Sequence, residues 1–352
     1  MLRPVELGPN QPRMFYRGGE AIAEFRGLPV ADGFRPEDWV GSATARFGSD
    51  RDGLSRLPDG GYLVEAIEAD PEAWLGPEHA RYFGASPALL VKLLDAGERL
   101  PVHVHPPRDF ALRHLGSRHG KTEAWAVLGT RGAEPAVYLG WVRDVETEEL
   151  SGWVNRQEVA TMLAHLHVLH VGPGDTVLVP AGTPHAIGEG VFVLELQEPT
   201  DYSIMLQTEG FDMGGSAGDL GLGRDLAVSC VREKELTPGA LEELRGRVPG
   251  YGQVDGRVAG PGRSVLPVSA NPYFRAHHVA GPGGELAASF SVVAGLRGEG
   301  SVQGDGWEAD VRAGTTMVVP WAAGAAKVHG ELELLQCLPP RPEDAAKDAP
   351  AG

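Results

Sequence analysis

The sequence LPVHVHP at residues 100–106 places His103 and His105 two positions apart in a run that alternates apolar and polar side chains. Such alternation predicts a β-strand, in which successive side chains point to opposite faces. The two histidines therefore share one face, where both imidazole rings can reach a single point. This spacing predicts two ligands of one metal ion.

Two further candidate ligands lie near other predicted strands. Glu123 follows GKT at residues 120–122 and opens a strand-like run, and His185 follows the turn sequence PAGTP at residues 180–184. A lone His or Glu is usually an ordinary core or surface residue, but three imidazoles and one carboxylate together suit zinc, and other divalent metals share this preference. The predicted zinc ligands are His103, His105, Glu123 and His185.

The composition favours a fold dominated by β-strands. The 352 residues include Gly 49 and Pro 28, which divide the chain into short segments and disfavour a helical bundle. Predicted strands in the first part are Leu100 to Val104, Glu123 to Leu128, Ala136 to Val142, Asp175 to Val179, Val191 to Leu196 and Ser203 to Gln207. Predicted helices are Leu63 to Glu72, Pro77 to Phe83, Pro107 to Leu115 and Arg156 to Leu166.

The later part of the chain predicts a second β-barrel. Its strand-like runs are Ala287 to Val293, Trp307 to Val311, Thr315 to Val319 and Glu331 to Gln336. The sequence AGTTMVVP at residues 313–320 parallels GPGDTVLVP at residues 172–180, a weak internal repeat whose second copy lacks the histidines.

We therefore predict three regions. Residues 1–225 form a metal-binding barrel with helical insertions, residues 226–338 form a second barrel without metal ligands, and residues 339–352 form a disordered tail rich in Pro, Ala and charge. The connection is the Gly-rich segment at residues 214–223, followed by one predicted helix over Arg232 to Arg247.

The charge and the cysteine content exclude several classes of partner. Against 31 basic residues stand 48 acidic ones, and the formal net charge of -17 repels phosphate backbones and anionic membrane surfaces. Cys230 and Cys337 are too few for a disulfide framework, which fits a reducing compartment. The N-terminal sequence has no signal-peptide pattern, and no apolar run reaches membrane-spanning length. We expect a cytoplasmic protein without nucleic-acid or membrane partners, whose oligomeric state the sequence does not define.

Three segments, in this order, resemble type I mannose-6-phosphate isomerases of the cupin superfamily: PALLVKLLDAGERLPVHVHP at 87–106, GKTE at 120–123 and GDTVLVPAGTPHAI at 174–187. The resemblance covers most of residues 10 to 200. It implies a double cupin, which consists of two jelly-roll barrels with a few helices decorating the first. It also implies a zinc-dependent isomerase that interconverts mannose 6-phosphate and fructose 6-phosphate, or a related sugar, through a cis-enediol.

The resemblance also assigns roles to individual residues. Lys121 matches a pocket lysine of the family, so Lys121 and Glu123 are the expected catalytic residues. Lys92, Arg108 and Lys121 are the expected substrate-binding residues. The sequence departs from the family where His103 replaces a glutamine and where HPPR at 105–108 replaces His-Pro-Asp-Asp.

The departure with the largest consequence lies in LQEPTDYSIM at residues 196–205, where Met205 occupies the position of a catalytic arginine in the family. A cation that stabilises developing negative charge can contribute a factor of about 10² or more to a rate. Arg108, Arg113 and Lys92 are candidates to replace it.

Other functions on the same scaffold are an epimerase, an iron dioxygenase with the same ligands, and a non-catalytic sugar-binding cupin. His165, His167 and His170 share no single face, so we predict no second metal site there. Trp125, Trp141 and Trp153 suit either a sugar-binding surface or core packing.

Overall fold

The computed structural model describes residues 2–251 and 264–348. The strands are β1 (Val5–Glu6), β2 (Glu37–Val40), β3 (Leu90–Asp95), β4 (His103–Val104), β5 (Glu123–Thr130), β6 (Ala136–Trp141), β7 (Leu166–His170), β8 (Asp175–Val179), β9 (His185–Ile187), β10 (Val191–Gln197), β11 (Ile204–Met205), β12 (Arg245–Arg247), β13 (Arg275–Ala280), β14 (Glu285–Leu286), β15 (Ser291–Gly304), β16 (Trp307–Arg312), β17 (Thr316–Val319) and β18 (Ala326–Leu338). The predicted dominance of β-structure is confirmed.

Short helices flank the strands, mostly in the first half of the chain. They are α1 (Glu20–Arg26), α2 (Leu63–Ala69), α3 (Pro71–Leu75), α4 (Pro77–Phe83), α5 (Arg108–Leu115), α6 (Thr147–Arg156), α7 (Val159–Ala164), α8 (Arg224–Val228), α9 (Pro238–Glu243) and α10 (Pro342–Ala345). Three 3₁₀ turns cover Val268–Ala270, Trp321–Ala323 and Ala346–Asp348. None of the helices in the described ranges is long and apolar enough to cross a membrane.

Two antiparallel sheets build the first barrel. The six-stranded sheet has the order β12-β8-β5-β10-β3-β2, and the five-stranded sheet has the order β11-β4-β9-β6-β7. His103 lies opposite His185 in the five-stranded sheet, whereas Glu123 lies between Gln197 and Val179 in the six-stranded sheet. The predicted ligands therefore come from both sheets of one barrel.

A seven-stranded antiparallel sheet forms the second barrel. Its main order is β1-β17-β15-β18-β13, with β14 added to β18 and β16 added to β15. Its interior holds an apolar cluster that includes Val293, Val302, Met317 and Leu334. Strand β1, from the start of the chain, pairs with β17 in the second barrel, and β12, which follows residue 225, pairs with β8 in the first. Each region predicted from the sequence therefore contributes one strand to the other region's barrel.

Three helix predictions were wrong in extent. The segment predicted as one helix from Leu63 to Glu72 holds α2 and the start of α3, which are separated at Asp70 because Pro71 has no N–H to continue α2. The segment predicted as one helix from Arg156 to Leu166 holds the end of α6 and all of α7, separated at Gln157, whose φ of 52° interrupts the helical backbone. The helix predicted over Arg232 to Arg247 is shortened to α9, because Pro238 has no N–H to continue a preceding turn and therefore starts the helix. The residues after α9 form β12, whose hydrogen bonds to β8 replace helical ones.

Part of the segment predicted as a disordered tail carries regular structure. Residues 342–345 form α10, and the side chain of Asp348 accepts a hydrogen bond from the Tyr273 hydroxyl at 2.5 Å. Residues 349–352 of that segment lie outside the described residues.

Candidate metal centre

Three histidines from the first barrel converge on one point. The ring nitrogens that His103, His105 and His185 offer to a metal all lie within 4.8 Å of one another. The three side chains are 8%, 1% and 0% exposed. Since the barrel excludes most solvent from these rings, their polar atoms must find partners inside the protein.

Backbone carbonyls fix the orientation of each ring. Nδ1 of His103 donates to Pro101 O, Nδ1 of His105 to Tyr202 O, and Nδ1 of His185 to Thr183 O, each at 2.8 Å. A carbonyl oxygen can only accept, so the proton sits on Nδ1 and the lone pair sits on Nε2. The Nε2 atoms are therefore the acceptors, an arrangement typical of histidines that bind metals. Of the three, His105 Nε2 accepts from the Lys121 ammonium at 3.1 Å, a donor that a bound cation would displace.

The carboxylate of Glu123 lies against two of these rings. Its Oε2 is 2.9 Å from His105 Nε2, and its Oε1 is 3.3 Å from His185 Nε2. With the tautomers described above, the carboxylate oxygens and the Nε2 atoms that face them are all hydrogen-bond acceptors. Glu123 Oε2 and His185 Nε2 are both buried without a hydrogen-bond partner. Buried unpaired polar atoms cost free energy, and a divalent cation would satisfy both at once. The residues therefore fit a metal ion.

The electrostatic surroundings favour the protonation states that bind metals. Burial lowers the pKa of His103 well below its usual range and lowers that of His105 to about 3, with the Lys121 ammonium contributing to the second shift. Burial alone would raise the pKa of Glu123, but His105 and Lys121 lower it well below its usual range. At neutral pH His103 and His105 are neutral and the carboxylate is charged, as metal coordination requires.

Lys121 lies beside the predicted ligands. Its Nζ is 3.1 Å from His105 Nε2 and 3.5 Å from Glu123 Oε2, and the side chain is buried. It lies two residues before Glu123, just ahead of β5, and lines the same cleft as His103. The ammonium therefore lies close to any substrate oxygen that approaches the metal centre.

The cleft itself spans about 960 Å³ of empty space, part of it open to solvent. Its walls include His103, Glu123 and two of the three predicted substrate-binding residues, Lys121 and Lys92. Lys92 Nζ is held 3.1 Å from Glu37 Oε2 and 3.9 Å from Glu195 Oε2, and lies 4.3 Å from the ring centre of Trp39. Burial works against its charge, but Glu37 and Glu195 raise the pKa of Lys92 above its usual range.

Sequence reasoning missed the acidic residues that surround Lys92. Glu37, Glu195 and Asp201 line the same cleft, and Tyr16 donates a hydrogen bond to Glu37. Burial and the nearby Glu123 raise the pKa of Glu195 to about 8. A signal was present, because Glu195 stands alone in the apolar run VFVLELQ at 191–197, where a charged residue needs a specific partner.

Arg108 and Arg113 do not reach this cleft. Arg108 Nε donates to Glu198 Oε1 at 2.6 Å, and its Nη2 donates to Pro272 O at 3.0 Å. Arg113 is exposed and pairs with Asp109 on its own helix. Met205 does line the cleft. The guanidinium found in its wall is that of Arg46, which the sequence did not single out.

The remaining aromatic and histidine candidates lie away from the cleft walls. Trp141 and Trp153 pack in a separate apolar cluster, which favours the core-packing role. Trp125 is also buried, but its indole N–H donates to Glu123 Oε1 at 3.1 Å and to Glu195 Oε1 at 3.2 Å. His165 and His167 bind backbone carbonyls in different places, as expected for residues that share no face.

Comparison with known proteins supports this description. The mannose-6-phosphate isomerase of Bacillus subtilis is 32% identical over 194 residues, which cover 54% of this chain and 56% of the relative. The matched region thus spans little more than half of that relative. No protein-family model matches the chain.

Solved structures extend the likeness over nearly the whole chain. The crystal structure of mannose 6-phosphate isomerase from Bacillus subtilis has a TM-score of 0.71 at 22% identity and covers 96% of this chain and 99% of its own. A mannose 6-phosphate isomerase bound with zinc and yttrium has a TM-score of 0.69 at 15% identity and covers 96% and 100%.

Fold and site together define a double cupin whose first barrel carries a candidate metal centre. The resemblance predicted from the sequence is confirmed: about half of this chain is similar in sequence to mannose-6-phosphate isomerases, and nearly its whole length shares their fold.

Proposed function

We propose that this chain is a zinc-dependent aldose-ketose isomerase that interconverts mannose 6-phosphate and fructose 6-phosphate, or a closely related pair of sugars. The observation that carries the proposal is the buried group of His103, His105 and His185, which faces Glu123 and Lys121 in a cleft. The relatives named mannose-6-phosphate isomerase support the same reaction, and the zinc-bound neighbour supports the choice of metal.

The proposed reaction moves one hydrogen from C2 to C1 and one proton from O2 to O1, and it leaves the carbon skeleton intact. A base removes the proton from C2 of the aldose, a cis-enediol forms, and a proton returns to C1 to give the ketose. A zinc ion held by His103, His105, Glu123 and His185 would polarise the substrate oxygens and stabilise their negative charge. Lys121 would donate hydrogen bonds to the same oxygens from its position beside His105.

Glu195 is our candidate for the proton transfer. Its carboxyl lines the cleft, and a pKa of about 8 lets it exchange protons near neutral pH. The hydrogen bond from Trp125 to both Glu195 and Glu123 keeps the two carboxylates in a fixed relation. Glu195→Gln keeps the shape of the side chain but removes its proton exchange.

Isotope exchange tests the proposal. The zinc-loaded protein is incubated in deuterated water with mannose 6-phosphate, fructose 6-phosphate, mannose or fructose, and deuterium at C1 and C2 is followed by NMR. We expect exchange and interconversion with at least one pair, and loss of both in Glu195→Gln. If none of the four sugars exchanges, the isomerase proposal fails.

Met205 in the cleft wall favours a second candidate, a non-catalytic sugar-binding cupin, since a thioether can neither donate a strong hydrogen bond nor balance negative charge. A bound sugar stabilises the folded chain according to its affinity. A sugar that raises the melting temperature without any isotope exchange would favour this candidate over the isomerase.

A further inference from the structure

Arg46 has unused hydrogen-bonding capacity in the wall of the candidate active-site cleft. Its Nε is buried and has no hydrogen-bond partner, while its Nη1 donates to Asp52 Oδ2 at 2.9 Å and to Arg13 O at 3.1 Å. A guanidinium carries five donors in a planar fork, and leaving a buried donor unpaired costs free energy. The Nε atom is not accessible to a ligand, but no hydrogen bond among the described residues uses Nη2, so this group can donate to a ligand in the cleft.

The two lysines of the cleft already pair with buried carboxylates. Lys92 pairs with Glu37, and Lys121 contacts Glu123. Both are almost fully buried, whereas the Arg46 side chain is 29% exposed and its neighbour Phe47 is 52% exposed. Arg46 therefore lies nearer the mouth of the cleft than the two lysines do. A substrate bound to the metal at one end would place its other end near this mouth.

The segment that carries Arg46 is fixed relative to the metal centre. The backbone N–H of Phe47 donates to Asp201 Oδ2 at 3.1 Å. The next residue, Tyr202, packs its ring edge-on against Phe47 and supplies the carbonyl that orients His105. Two consecutive residues thus connect the Arg46 segment to a predicted metal ligand, so the guanidinium is held at a defined position relative to that ligand.

We propose that Arg46 binds the phosphate group of the substrate and thereby makes this chain select sugar phosphates over free sugars. The inference rests on the proposed function, since it assigns the far end of the same cleft. A phosphate matches both the charge and the fork geometry of a guanidinium, whereas a neutral hydroxyl gains no charge-assisted bond.

Arg46 also has a structural contact, and the variants must separate the two roles. Its ion pair with Asp52 supports the turn at residues 46–52, in which Arg46 N also donates to Asp52 O at 2.7 Å. Asp52→Asn weakens that ion pair but keeps the guanidinium. Arg46→Met removes the guanidinium, and Arg46→Lys keeps the charge without the fork.

The test measures kcat/KM of the zinc-loaded full-length chain for mannose 6-phosphate and for mannose. We expect Arg46→Met to lower the ratio of the two values at least about tenfold, mainly through KM for the phosphate, with Arg46→Lys intermediate. Asp52→Asn and the exposed control Arg113→Met should keep the wild-type ratio. An unchanged ratio in Arg46→Met, or an equal fall of the ratio in Asp52→Asn, would overturn the inference.

A second measurement keeps this inference separate from the proposed function. Inorganic phosphate is titrated into the zinc-loaded wild type and into Arg46→Met, and binding is followed by ³¹P NMR line width. We expect affinity at least about tenfold weaker in the variant, even if the wild type turns over no sugar. Equal affinity in the two proteins would mean that Arg46 does not bind phosphate.

Discussion

In the first barrel, GPGDTVLVP at residues 172–180 forms β8 and leads through a turn to the buried His185. In the second barrel, AGTTMVVP at residues 313–320 forms β17 and leads through a 3₁₀ turn to Ala326 at the start of β18. The weak internal repeat predicted from the sequence therefore corresponds to one strand and its following turn in each barrel.

Each copy also contains, shortly before its strand, a glycine that the backbone geometry requires. Gly174 and Gly314 have φ of 92° and 85°, and a Cβ there would lie 2.5 Å from Tyr251 O and 2.0 Å from Phe25 O respectively. These values combine a left-handed backbone with no room for a side chain. The shared sequence thus encodes the turn, whereas the residues after Pro180 and Pro320 differ.

The interiors of the two barrels also differ in the kind of side chain that they hold. The first barrel uses interior positions for histidines, carboxylates and lysines, which need hydrogen bonds or a metal to offset burial. The second fills its interior with apolar side chains such as Val302 and Leu334, which stabilise the fold through burial alone. One supersecondary unit thus serves a candidate site in one place and packing in the other.

Removal of a proposed ligand should have the largest effect. His185→Ala is expected to lose bound zinc and to lower isotope exchange at least about 1,000-fold, or about 4 kcal/mol, because even residues outside the ligand set cost 10- to 100-fold when changed. Zinc content is measured by mass spectrometry of the dialysed protein. His329→Ala, at an exposed histidine of the second barrel, is the control, and zinc retained in both variants would refute the ligand assignment.

A cavity in the second barrel should instead lower stability. Leu334→Ala, at a fully buried position, is expected to lower the free energy of unfolding by about 3 kcal/mol without changing zinc content. Urea denaturation measures the change, and the exposed Val168→Ala serves as the matched control. Zinc loss in folded Leu334→Ala would contradict the division of roles between the barrels.

The junction of the two barrels should respond to pH. His79 on α4 has its pKa lowered to about 4 by burial, with Arg275 of the second barrel adding to the shift. The unfolded chain takes up this proton below pH 6.5 and the folded chain does not until about pH 4. The contribution of His79 to the free energy of unfolding is therefore fully present above pH 6.5. The free energy of unfolding falls by about 2 to 3 kcal/mol as the pH is lowered towards 4.

Comparison of variants isolates that contribution. His79→Gln should flatten the decline of the unfolding free energy between pH 6.5 and 4, whereas the exposed His114→Gln should keep the wild-type slope. Equal slopes for wild type and His79→Gln would show that His79 does not titrate in this range.

The smallest effect is expected from removal of the hydrogen bond that Trp125 donates to Glu123. Trp125→Phe removes the indole N–H that reaches Glu123 and Glu195, and should weaken zinc binding about tenfold. Chelator competition measures the affinity. Trp141→Phe is the matched control, because the indole nitrogen of Trp141 is buried without a partner in another cluster; an equal loss in both would point to packing instead.

Local pattern, together with the resemblance of three motifs, predicted the class of fold and the convergence of His103, His105 and His185. His103 and His105 share a face because strand geometry places positions i and i+2 together, and the glycine-rich turns set the ends of β8 and β17. The single helix over Arg232 to Arg247 failed because the pairing of β12 with β8 depends on a strand distant in the sequence. Periodicity within a segment carries no information about such a partner.

The charged residues expected to contact substrate were also not predictable from local sequence. Arg108 was predicted to contact substrate, yet Glu198, 90 residues away in sequence, holds it elsewhere. Arg46 carried no signal in its own segment, and it lines the cleft because Phe47 binds Asp201 across 154 residues. The sequence by itself indicated the candidate ligands and the class of fold, since strand alternation, turn glycines and family-like motifs are local features of the chain. The tertiary structure decided which charges meet in the cleft, because long-range register and loop packing set those distances.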